Sequence, residues 1–323
     1  MEFRNEAPVP VVAQAQENAR PHVSPRVMLL AAGLLLVAVL TALFFFIKDE
    51  KESLLFSEFG YAGITPRILE GTVVKDASIA VPGALMDYAR EGAHEVAIVE
   101  AEGTSQVLLL GEGGRSISVG TDRKAAVAIS AAGDAVAHAT YSGSQGRDVL
   151  VPFINEWRIQ LTLLESNEVY ELGEGFAPGF FTRDGVEYLF FTTSQGVTFF
   201  NMKDKTSYQI PLYTQNVIDS AVSVREDGSY MVMRNFLTNR YALFAIGQTN
   251  NVFTLSAAGV IGEGEGALFA DVEWIGSQLY AVTPPMREGS GTLTFWRIDP
   301  GAPTEMVSIG VIRSTESLRL ISQ

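Results

Sequence analysis

One unit recurs in this chain and limits what it can fold into: a turn carrying glycine, followed at once by an apolar, β-type run. The copies read EGAHEVAIV (91–99), AGDAVAHAT (132–140), DGVEYLFF (184–191), DGSYMVM (227–233) and IGSQLYAV (275–282). Their marker glycines, Gly92, Gly133, Gly185, Gly228 and Gly276, stand 41, 52, 43 and 48 residues apart. That interval is the length of one four-stranded blade, and self-similarity at such a period is the signature of a radial or stacked repeat. Glycine suits these turns because it tolerates positive φ, and the β-branched and aromatic residues around it suit a pleated, half-buried surface.

Two copies also share their next turn. Gly143-Ser144-Gln145-Gly146 follows the run at His138, Thr193-Ser194-Gln195-Gly196 follows the run at Phe190, and further strands are expected from Val149 and from Val197. From about Ala84 onward short strands alternate with turn residues, and no stretch of ten or more residues reads as a helix. The strand-like runs from Leu54 to Val74 and from Leu318 to Ile321 are left over. Together these features predict an all-β propeller of five to seven blades, six favoured, over residues 84–323. Closure is expected to pair the two chain ends in one composite blade, because that removes exposed sheet edges. Two β-sandwich domains are the other architecture with short strands and turns, although they need no repeat near 45 residues. Phe181-Thr182-Arg183-Asp184-Gly185 and Val224-Arg225-Glu226-Asp227-Gly228 each set an apolar residue ahead of Asp-Gly. Here the chain resembles the TolB-type, WD40-like propeller repeats. It lacks their usual Ser-Pro, so the resemblance, over about Ala84 to Gly310, implies the fold and brings no functional residue with it.

From Val27 to Ile47 the residues read VMLLAAGLLLVAVLTALFFFI, with no charge and Thr41 as the one hydroxyl. At about 1.5 Å per residue this run crosses a hydrocarbon core of roughly 30 Å as a single transmembrane helix in contact with lipid. It stops abruptly at Lys48-Asp49-Glu50-Lys51-Glu52. Phe44-Phe45-Phe46-Ile47 offers no small-residue cleavage site, so an uncleaved anchor is expected rather than a signal peptide. Arg4, Arg20 and Arg26 precede the run and Lys48 and Lys51 follow it. That slight bias puts the N-terminus in the cytoplasm and the large domain in the periplasm or outside the cell. Residues 1–26, rich in Pro, Ala, Gln and Asn, are predicted to be a disordered cytoplasmic tail. Residues 48–83 are predicted to be a juxtamembrane linker that also holds candidate closing strands.

The formal net charge of −14 falls entirely after Ile47, since the tail's three arginines are balanced by Glu2, Glu6 and Glu17. An acidic domain repels phosphate backbones, and no Lys/Arg-rich run offsets this locally, so nucleic acid is not an expected partner. With no cysteine there is no disulfide, thiolate zinc site or thiol nucleophile. His94 and His138 sit at neighbouring repeat positions, but a shared metal site would need further ligands that the spacing does not supply. No Ser-His-Asp signature or G-x-S-x-G elbow occurs, and neither a metal nor a cofactor is expected. Gly262-Glu263-Gly264-Glu265-Gly266 sets two carboxylates where a phosphate would lie and reads as an inter-blade loop, as does Gly111-Glu112-Gly113-Gly114-Arg115. Trp157, Trp274, Trp296, Phe199 and Phe200 are expected to fill the space between blades.

A binding face is sought in the long or polar loops around 142–147, 213–217, 262–266 and 284–290. Ser144, Gln145, Arg147, Tyr213, Gln215, Glu263, Glu265 and Arg287 are its candidate contacts. The expected role is non-enzymatic: a membrane-held propeller offering a rigid surface to an envelope protein or a wall polymer. An extracytoplasmic hydrolase or lyase would instead show convergent buried carboxylates or histidines in the central channel. A sensor or structural subunit of an envelope complex would signal through the tail.

Overall fold

The computed structural model describes residues 53–60, 63–70, 73–77, 79–111, 114–142, 154–212, 223–235, 240–249, 252–262, 269–283, 291–314 and 317–321. The apolar run at 27–47 lies outside them. Among the described residues no helix is long and apolar enough to cross a membrane.

Blade 1 takes β1 (Ser53–Gly60), β2 (Gly63–Glu70) and β3 (Val73–Asp76), and blade 2 holds β4 (Ala84–Glu91), β5 (His94–Ala101), β6 (Thr104–Leu110) and β7 (Arg115–Gly120). Blade 3 comprises β8 (Lys124–Ile129), β9 (Ala135–Tyr141), β10 (Trp157–Leu163) and β11 (Val169–Glu174). Blade 4 comprises β12 (Phe176–Arg183), β13 (Val186–Thr193), β14 (Gly196–Asn201) and β15 (Ser207–Pro211). Blade 5 contains β16 (Ser223–Val224), β17 (Tyr230–Asn235), β18 (Arg240–Thr249) and β19 (Val252–Val260). Blade 6 contains β20 (Asp271–Ile275), β21 (Gln278–Thr283), β22 (Thr292–Asp299) and β23 (Ala302–Arg313), and β24 (Ser317–Leu320) returns to blade 1.

Each sheet has four strands paired in chain order except the first, which runs β24-β1-β2-β3. Leu320 of β24 stands opposite Phe56 and Ser317 opposite Phe59, so the last strand fills the innermost place of the first blade. The domain is therefore a six-bladed propeller closed by its own two ends, not a pair of sandwiches. Burial explains the closure. Leu318 and Leu320 of β24 join Leu54, Phe56, Val282 and Phe295 in one apolar cluster between blades 6 and 1. Five further clusters fill the remaining blade interfaces, one to each.

The marker glycines all lie in turns joining the first strand of a blade to the second, with φ between +56° and +73°. A side chain there would need left-handed backbone, and at Gly133 a Cβ would also stand 2.3 Å from the His94 ring of the preceding blade. Arg183 Nη1 likewise donates to the Gly228 carbonyl at 2.8 Å, so marker turns of adjacent blades abut on one face of the ring. Because the strands are antiparallel, the turn from second to third strand and the passage between blades both open on the opposite face.

The aromatics behave as packing residues. Trp157, Trp274, Phe199 and Phe200 are buried between blades, and Trp296 packs against the cluster shared by blades 5 and 6. Two details depart from expectation. Gly111 to Arg115 joins β6 to β7 within blade 2 and is not an inter-blade passage, because Val107 to Leu109 pair directly with the strand that follows the turn. In blade 3, β10 begins at Trp157 after a single 3₁₀ turn at Ile154–Glu156, and Val149 lies outside the described residues.

Candidate functional site

The eight loop contacts expected from the sequence, Ser144, Gln145, Arg147, Tyr213, Gln215, Glu263, Glu265 and Arg287, lie outside the described residues. Their flanking strand ends do not. The first and last of these loops join second to third strands (β9 to β10, β21 to β22), and the middle two pass between blades (β15 to β16, β19 to β20). Both kinds of connection open on the face opposite the marker turns.

A second concave site lies on the ring axis. Residues of all six innermost strands or their turns surround a central cavity of about 110 Å³, including Glu91, Ile129, Phe180, Glu226, Glu273 and Arg319. Its frame is a repeat position that sequence reading overlooked. Asp87, Ser223 and Asp271 each stand five residues before a marker glycine. Each accepts a backbone N–H from the innermost strand of the next blade: Asp87 Oδ2 from Val127 at 2.9 Å, Ser223 Oγ from Trp274 at 2.9 Å, and Asp271 Oδ2 from Leu320 at 2.8 Å. Innermost strands have a bare edge toward the axis, and a buried N–H left there without an acceptor is costly. A short acceptor side chain solves this blade by blade. The aspartates also cap their own neighbours, Asp87 Oδ1 taking Tyr88 N–H and Asp271 Oδ1 taking Val272 N–H, both at 3.0 Å.

Arg319 of the closing strand extends into this frame and donates from Nη1 to Asp87 Oδ1 at 3.2 Å. Asp87, then Asp271 and Glu273, hold its guanidinium firmly charged. Glu273 is half-buried, and burial followed by the charge of Asp271 pushes its carboxyl up to about 8, against the opposing Ser223 hydroxyl that donates to Oε1 at 2.7 Å. Burial raises Asp271 too. Nearer the marker turns, Glu91 is raised by burial and by Glu226, which belongs to the blade across the axis.

Convergent acidic groups therefore do occupy the channel. Two of the three carboxylates around Arg319 are spent on backbone N–H groups. Glu273, neutral at pH 7, has the protonation state of a general acid, and Glu91 and Glu226 border the same cavity. No group of three or more His, Asp or Glu among the described residues could hold a metal ion.

His138 lies off the axis, fully buried in β9 opposite Gln160 of β10, whose side chain favours the charged ring only weakly. Burial and then the Lys124 charge push it down to about 4. The native state thus holds it neutral, while the unfolded chain protonates it near 6.5. The resulting stability is complete above about pH 6.5 and is lost as the pH falls toward 4. Comparing urea midpoints at pH 7 and pH 4, His138→Gln is expected to lose less stability on acidification than the wild type, by roughly 2–3 kcal/mol. An unchanged pH difference would refute the assignment.

No protein-family profile matches the sequence, and no curated protein matches it either. Solved structures do. TolB from Acinetobacter baumannii superimposes with a TM-score of 0.54 at 11% identity, covering 84% of this chain and 67% of that one. The fold is that of a TolB-like propeller. A protein from Lactobacillus plantarum matches with a TM-score of 0.49 at 14% identity, over 84% of this chain and 99% of its own. A provisionally named 6-phosphogluconolactonase from Bacteroides fragilis NCTC 9343 gives 0.46 at 14%, over 85% and 99%. At these identities the likeness concerns architecture alone.

Proposed function

We propose that the chain is a membrane-anchored, extracytoplasmic scaffold whose loop face binds a protein or wall-polymer partner in the cell envelope. The observation that carries this reading is the placement of the four connections: their anchoring strand ends share one face of a rigid ring. The chain enters that ring at Ser53 on the other face, where β1 runs antiparallel to β24. Rigid blades with clustered connections are suited to recognition, because ordering costs on binding are small. The apolar run at 27–47 supports the anchor and the basic residues ahead of it support the orientation. The channel carboxylates favour a frame over catalysis, since Asp87 and Asp271 are consumed in holding blades together.

One experiment tests both halves. A membrane-impermeant cross-linker added to spheroplasts is expected to trap the wild-type chain with a partner, and to trap none when all four loops are replaced by Gly-Ser segments. Failure of the reagent to modify any lysine after Ile47 would reverse the orientation. Equal trapping of wild type and the four-loop variant would remove the loop face as the binding surface.

A further inference from the structure

Another concavity lies on the loop face, over the seam between blades 2 and 3. In blade 2, Val96, Ile98 and Val107 turn toward blade 3 and pack with Val127, Ile129 and Val136. Glu100 and Ser105 continue the same rows toward the loop face and stand opposite each other across β5 and β6, so both side chains project over that seam. Their positions are fixed by a two-residue hairpin in which Glu102 and Gly103 both take positive φ, +51° and +79°. Thr104 Oγ1 closes it by donating to the Ala101 carbonyl at 2.7 Å. The passage to blade 3 brings Thr121 and Arg123 to the same space, and Met86, left out of the ladder by a bulge between Leu85 and Asp87, borders it as well. Together they surround a cavity of about 200 Å³.

Glu100 and Arg123 both border this cavity, and neither has a hydrogen bond or an ion pair among the described residues. Ser105 is 3% exposed, and its Oγ accepts the Lys124 backbone N–H at 3.3 Å while its own O–H has no acceptor among the described residues. One wall charge of each sign is complementary to a ligand that carries both, since a singly charged ligand leaves the other wall charge uncompensated. Glu102 and Asp122, next in the chain to wall residues, add negative charge at the rim and disfavour a simple anion. We propose that this cavity binds a small free α-amino acid. Its carboxylate accepts from Arg123 and the Ser105 hydroxyl, its ammonium donates to Glu100, and its side chain lies against the adaptable Met86 thioether. At about 30 Å³ for each heavy atom at liquid density, the space takes about seven, the size of alanine or serine. Arg123 is exposed and Glu100 half-buried, so water screens both charges and the affinity is modest, with a Kd on the order of 1 mM. The site is complete within one chain and rests on neither the membrane anchor nor a protein partner.

Ligand-observed NMR titration of the full chain in detergent tests the assignment, with alanine, propionate and alaninamide as probes. Propionate lacks the ammonium and alaninamide lacks the carboxylate. Alanine is expected to bind, with each of the other two about fivefold weaker, the upper range for one partly exposed charge pair. Glu100→Gln should erase the preference for alanine over propionate and keep the preference over alaninamide. Arg123→Gln should do the reverse. Neither side chain holds a fold contact, so the urea midpoints of both variants should match the wild type. Equal binding of the three probes, no binding of alanine at about 20 mM, or variants that each keep both preferences would overturn the proposal. The ranking of probes on the wild-type chain requires no variant, so a variant that misfolds leaves the test intact.

Discussion

Deleting residues 317–323 is expected to abolish cooperative folding of the domain, seen as loss of a single urea transition and rapid proteolysis of the blades. The deletion removes β24, and with it the inner edge of blade 1. Leu318, Leu320 and Ile321 are each at most 5% exposed, and burying such side chains is worth about 1.5–3 kcal/mol apiece. Phe56 to Phe59 lose their ladder, and the Asp271 and Asp87 carboxylates lose Leu320 N–H and Arg319. The combined loss reaches the whole stability of an ordinary domain, about 5–15 kcal/mol. A propeller opened at its seam also presents a bare strand edge, so aggregation should accompany unfolding. A truncated chain that still melts in one transition within about 2 kcal/mol of wild type would mean the ring does not depend on its seam. A peptide of the missing sequence, added in trans, should partly restore protection if the seam alone is at fault.

The ring was legible because its signal is local. A turn that forces positive φ needs glycine whatever the tertiary context, so Gly92, Gly133, Gly185, Gly228 and Gly276 marked the same turn in five blades. The sixth blade has no such marker for a physical reason: its first and second strands, β24 and β1, come from opposite chain ends and no hairpin joins them. The leftover strands at the two ends were therefore the right residue of the count. The channel was harder to read. Its acceptor position carries Asp87, Ser223 and Asp271 in three blades but Ala128 and Phe180 in the other two marked ones, so no motif stands out. The requirement it meets is a backbone N–H in the neighbouring blade, fixed by three-dimensional juxtaposition. Counting back five residues from each marker glycine would have shown the recurrence of short polar side chains. Nothing in the sequence near Arg319 connects it to Asp87, 232 positions earlier.

Asp87→Ala is expected to be the most damaging single substitution in the channel, lowering stability by about 3–4 kcal/mol in urea unfolding. Asp87 is 7% exposed and joins three blades: it belongs to blade 2, takes Val127 N–H of blade 3, and pairs with Arg319 of blade 1. Val127 sits at a register break in β8, between Ala125 and Ala128, so the sheet ladder offers its N–H no substitute acceptor. An orphaned buried donor costs about 1–3 kcal/mol. Arg319 left without its carboxylate adds to this, though less than a fully buried pair would, because the guanidinium is partly exposed to water. Ser223→Ala removes the corresponding acceptor with no charge attached and should cost about 1–2 kcal/mol. Asp87→Asn is expected to fall between the two: it keeps one oxygen for a backbone N–H but turns an amide donor toward another donor or toward Arg319. The order of the series is the decisive result. If Ser223→Ala were as harmful as Asp87→Ala, the cross-blade N–H bond alone would carry the frame and Arg319 would contribute nothing to closure. If both were neutral, the acceptor position would hold nothing together, and its carboxylates would be free for ligand chemistry.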